Sequence, residues 1–111
     1  MICVKTIEKR SEEKVRSLRG LAIERARDIA ELLRTRYGVT RVILFGSIAK
    51  GHYLHERTDI DLLVAGLRAE DFLRAGADAW TVSAPFDVDI IPMEHAEKAI
   101  VKTALKYGIE L

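Results

Sequence analysis

Cysteine is almost absent, with Cys3 the only one in 111 residues. A lone thiol forms no internal disulfide, so the fold has no covalent staple and the count fits a reducing compartment. Cys3 is also a poor candidate nucleophile, because no histidine stands near it in the sequence. Long apolar runs are missing as well. None approaches the ~20 residues that a membrane helix needs. Met1 to Val4 is followed at once by Lys5, Glu8, Lys9 and Arg10, which is not the pattern of a signal peptide. The chain therefore reads as cytoplasmic, with no membrane contact. Charge of one sign is lacking too. Eighteen basic residues against 17 acidic ones leave a net charge of +1, which exerts no long-range pull on nucleic acid. Direct nucleic-acid binding is not expected.

There is no internal repeat and no Pro/Gly/Ser-rich linker. Residues 1–111 are expected to form one domain, with 1–10 as a flexible lead-in. A domain of this size holds one modest core and no second substrate domain. Whatever it acts on is either small or held by another chain.

Apolar patterning supplies the fold class. Val15, Leu18, Leu21, Ala22, Ile29, Leu32 and Leu33 recur at three- and four-residue steps, which predicts a helix over 11–37 that Gly20 weakens and Gly38 ends. RVILF at 41–45 reads as a buried strand. A turn from Gly46 to Gly51 and a polar loop over 52–58 follow. DIDLLVA at 59–65 is a second strand and FDVDII at 86–91 a third, closed by Pro92. Between them a helix is expected over 68–81, with Phe72, Leu73, Ala77 and Trp80 inward. A last helix over 94–107 is expected to turn Ala96, Ala99, Ile100 and Leu105 inward. This order implies an α/β (α+β) fold, a small mixed β-sheet with helices packed on one face.

Three features carry chemistry. Gly46-Ser47 ends the first strand. Glycine allows close backbone approach, and Ser47 offers a hydroxyl and an amide suited to phosphate oxygens. The loop is no Walker A motif, since Lys50 is followed by Gly51 rather than Ser or Thr. Asp59 and Asp61 alternate along the second strand and share one face. Two neighbouring carboxylates repel, and a divalent cation would compensate; a solvent-exposed strand face, or one Asp capping a loop, is the competing reading of the pair alone. Asp87 and Asp89 alternate in the same way on the third strand. Asp89, in mid-strand between Val88 and Ile90, is the better third carboxylate; Asp87 lies nearer the strand's start and reads as exposed. His52 and His55 in the polar loop, and His95, read as solvated.

Taken together, Gly46-Ser47, eleven intervening residues and Asp59-Ile60-Asp61-Leu62-Leu63-Val64 resemble the signature of the DNA polymerase β-type nucleotidyltransferases. The stretch VILFGSIAKGHYLHERTDIDLLV at 42–64 is similar to the minimal nucleotidyltransferases (MNT), the antitoxins of HEPN/MNT toxin–antitoxin pairs. The resemblance extends through PFDVDII at 85–91 to the closing YGIEL. Two positions depart from the common pattern: Ile48 stands where Arg often follows Gly-Ser, and Thr58 where Ser often precedes the first Asp. The resemblance implies a polymerase β-like nucleotidyltransferase fold. It implies transfer of a nucleoside monophosphate, AMP from ATP, to a hydroxyl of a partner protein, a HEPN-type toxin. Asp59, Asp61 and Asp89 are then the metal-binding catalytic carboxylates for two Mg²⁺ ions, with Mn²⁺ as a substitute. Gly46, Ser47 and Lys50 are the nucleotide contacts, a solvated surface lysine being the competing reading for Lys50. A non-enzymatic nucleotide-binding module that neutralises its partner by contact is the alternative. A homo-oligomer stays open.

Overall fold

The computed structural model describes the backbone over residues 4–51 and 58–111, and side chains from residue 16 onward within those segments. Cys3, His52 and His55 lie outside the described residues.

The first helix, α1 (Val4–Tyr37), is continuous over 34 residues. It begins ahead of the expected residue 11, and residues 4–10 are helical. Neither Gly nor Pro interrupts the chain before Gly20, and nothing there stops a helix. Gly20 does not break it: a side chain at that position would meet nothing within 4 Å. Four strands follow, β1 (Arg41–Phe45), β2 (Ile60–Ala65), β3 (Val88–Pro92) and β4 (Ile109–Glu110), in the spatial order β3-β2-β1-β4. β2 pairs antiparallel with β1 and parallel with β3, while β4 is antiparallel to β1. The expected mixed sheet is what forms.

Strand alternation decides what packs where. Val42, Leu44, Ile60, Leu62 and Val64 face one side and bury against Ala22, Ala26, Ile29, Ala30 and Leu33 of α1 and against Ala75 and Ala79 of α3 (Phe72–Ser83). Ile43 and Leu63 face the other side and pack with Ile91, Met93, Val101 and the fully buried Ala104 of α4 (Lys98–Tyr107). The helices therefore do not all lie on one face. α1 and α3 do, as expected, whereas α4 covers part of the opposite face. These strands are apolar at both parities, so each face needs a cover.

The inward side of α3 also differs from expectation. Its buried residues are Ala75, Ala79 and Ser83, while Leu73 is 83% exposed and Trp80 64% exposed. Tyr37 donates to Asp78 Oδ2 at 2.5 Å, and Arg36 pairs with the same carboxylate at 3.3 Å. Those contacts turn Asp78 toward α1. At about 100° per residue, Trp80 lies near the far side of the helix. Ser83, though buried, donates to the Phe86 carbonyl at 2.7 Å and leaves no polar debt. In α4, Leu105 is half exposed and Ala104 takes the inward place. Glu94 accepts the Gly66 amide at 2.7 Å, a bond that holds its carboxyl below the ordinary range. That contact keeps residues 93–95 in a 3-10 turn, and α4 starts only at Lys98.

Leu62 is completely buried beneath α1, so Leu62→Ala should cost about 3 kcal/mol. Leu73→Ala on the exposed side of α3 should shift stability by less than about 0.5 kcal/mol. Urea unfolding of the two variants checks both the side assignment of the sheet and the rotation of α3.

Candidate active site

β1 delivers the chain to Gly46, whose backbone lies at φ 79°, ψ −154°. That combination is essentially confined to glycine. A Cβ there would also run into Asp61 Oδ2. Gly46 is required twice over, by its own backbone and by the carboxylate it packs against. The chain then winds into the single turn α2 (Ser47–Lys50). Ile48 inside this turn is fully buried in the core. The position where related sequences often carry Arg is here an apolar anchor. Ser47 is exposed, and so is Lys50. Lys50 lines a cleft of about 70 Å³ with Phe45, Gly46, Thr103 and Tyr107.

The sheet register assembles the acidic cluster. Phe45 of β1 pairs with Asp61 of β2, which pairs with Asp89 of β3. The next row on the same face is Ile43, Leu63 and Ile91. α4 covers this second row; in the first, Asp61 is partly buried and Asp89 exposed. Asp59 precedes β2 and is exposed. Burial, followed by the charges of Asp89 and then Asp59, pushes the Asp61 carboxyl up to about 6. Asp87 has a different part: it is exposed, and its backbone carbonyl accepts the Ile60 amide at 2.8 Å, continuing the β2–β3 ladder. The structure thus sets Asp89 rather than Asp87 in register with Asp61, packs Asp61 against Gly46, and leaves Asp59 near enough for its charge to act on Asp61. Thr58, next to Asp59, is buried. His95 is exposed in its 3-10 turn, away from this row of the sheet.

Among the described residues, no three acidic, His or Cys side chains converge closely enough to grip an ion. The donors themselves suit a hard divalent cation, being oxygen-only and flanked by a glycine turn open to phosphate. Mg²⁺ is commonly held by one or two carboxylates together with phosphate oxygens and waters. The sequence also gave no hint of Arg19 of α1, which reaches the carbonyls of Ile48 and Ala49.

Two outcomes follow from this geometry. Gly46→Ala should lose about 2 kcal/mol or more through backbone strain and the clash with Asp61. Gly20→Ala, on an open helix surface, should gain up to about 1 kcal/mol. Thermal melts of the pair check this contrast. The second outcome concerns pH. With its carboxyl raised to about 6, folded Asp61 keeps a proton that the unfolded chain has already released. The folded state then binds more protons, so stability should fall as pH rises from about 4 to 6. Melts in EDTA should show this fall, Asp61→Asn should abolish it, and added Mg²⁺ should restore stability at neutral pH.

Comparison with known proteins bears on the fold and the family. A structure described as a minimal nucleotidyltransferase has a TM-score of 0.60 at 28% identity, over 90% of this chain and 95% of that one. A toxin–antitoxin structure with AMP-PNP has a TM-score of 0.64 at 21% identity, over 77% of this chain and 70% of its own. A mutant of the toxin–antitoxin pair MntA-HpeT gives 0.64 at 22% identity, over 77% and 69%. The last two likenesses speak for the fold alone. No curated protein matches the chain significantly. Residues 26–111 match the nucleotidyltransferase domain family, and the chain belongs to that family.

Proposed function

We propose that this chain is a metal-dependent nucleotidyltransferase that moves AMP from ATP to a hydroxyl of a partner protein, and that it serves in the cytoplasm as antitoxin to a HEPN-type toxin. The observation that carries the reading is the register pair Asp61–Asp89, with Asp59 beside it and Gly46 packed on Asp61. Family membership supports nucleotidyl transfer. The toxin–antitoxin likenesses support the partner. Among the described residues no helix is long and apolar enough to cross a membrane.

In this reading Gly46 and Ser47 receive the phosphate oxygens of ATP, and Lys50 at the end of the same turn steadies the triphosphate. Asp59 and Asp61 are the ligands for two divalent ions, with Asp89 a further ligand on the acceptor side. When bound, the ions neutralise charge on the entering and leaving oxygens. The acceptor oxygen bonds to the α-phosphorus. The bond from that phosphorus to the bridging oxygen breaks, and pyrophosphate leaves with the electron pair. Asp89 takes the hydroxyl proton. Little covalent work falls to the protein, whose contribution is placement and charge.

Incubation with radiolabelled ATP, Mg²⁺ and the protein encoded beside it should label that partner. Asp59→Asn with Asp61→Asn should reduce transfer by roughly 10³-fold. No transfer by the wild type under conditions where the two proteins bind would sink the enzymatic reading. Full neutralisation of the partner by the double variant would favour the non-enzymatic contact module.

A further inference from the structure

α2 is a helix of only four residues. Isolated helices below ~12 residues are marginal even with favourable sequences, so this turn is held from outside. One hold is apolar: Ile48 sinks completely into the core. A single side-chain anchor fixes depth but leaves the turn free to swivel about it. The other hold is polar. Arg19, half-buried on α1, donates through Nε to the Ile48 carbonyl at 3.1 Å and through Nη2 to the Ala49 carbonyl at 3.3 Å. Two donors of one planar guanidinium on two successive carbonyls set a direction as well as a distance. The cation also sits at the carbonyl end of the turn, where positive charge is favoured.

Gly46 and Ser47 stand at the opposite end of that turn, with Gly46 packed on Asp61. We infer that Arg19 is a positioning residue for the nucleotide: by clamping the carbonyl end of α2 it holds Gly46 and Ser47 in place against the carboxylates. The inference rests on the reading of Gly46 and Ser47 as phosphate contacts. Arg19 lies on α1 ahead of residues 26–111, the segment that matches the family.

The test uses the full chain with Arg19→Gln and Arg19→Lys. Affinity for Mg²⁺·AMP-PNP is measured by calorimetry, affinity for Mn²⁺ alone by electron paramagnetic resonance, and amide hydrogen exchange by mass spectrometry. Arg19→Gln should weaken the nucleotide about ten-fold, or ~1.4 kcal/mol. It should also speed exchange over 47–51 and leave Mn²⁺ affinity unchanged. Arg19→Lys, which keeps the charge and loses the fork, should recover part of the nucleotide affinity. Nucleotide affinity within two-fold of wild type in Arg19→Gln overturns the inference. A parallel loss of nucleotide affinity, Mn²⁺ affinity and melting temperature also overturns it, since that pattern marks a general staple. A wild type that binds no AMP-PNP removes the phosphate reading of the turn instead. The exchange data then still decide whether Arg19 clamps it, with unchanged rates at 47–51 counting against.

Discussion

Repulsion between Asp61 and its two acidic neighbours is the constraint around which the molecule is arranged. Parallel pairing of β2 with β3 sets Asp89 beside Asp61, and Asp59 adds a third charge just ahead of the strand. Burial first, and then these two charges, raise the Asp61 carboxyl. An apolar sheet with helices on both faces supplies the rigidity that keeps the group together. Val42, Leu44, Leu62 and Val64 lock the strands to α1, and Ile43 and Leu63 lock them to α4. Gly46 lets the β1 turn come close enough to touch the same carboxylate.

Much of this was legible in the sequence because strands obey a simple rule. Alternation alone put Asp59 with Asp61 and Asp87 with Asp89, and mid-strand position favoured Asp89. In the register it is Asp89 that pairs with Asp61. Helix faces were harder to read. In α3 two stripes compete, one of large residues through Leu73 and Trp80 and one of small residues through Ala75 and Ala79. The small stripe goes inward because it lets α3 approach Ala22, Ala26 and Ala30 of α1. For α4 the clue was Ile43 and Leu63, apolar at the parity that a one-sided sheet would leave wet.

Arg19 had no signature at all. Its acceptors are backbone carbonyls 29 and 30 residues away, and a carbonyl carries no residue identity. Contacts of this kind arise from where a helix passes. The departure at Ile48 is understood in the same frame. With an apolar residue at that position, the turn is tied down from beneath by the core and from the side by α1.

The parallel β2–β3 pairing also bears on how the chain reaches its native state. β1 and β2 are antiparallel neighbours, but β3 joins only after the chain has crossed over through α3. Parallel pairs need such crossovers, and non-local pairings form slowly because loop closure precedes any reward. Asp89 therefore meets Asp61 only once β3 has docked. Asp59 and Asp61 already neighbour each other in sequence, but the further repulsion from Asp89 is deferred until apolar packing can hold it.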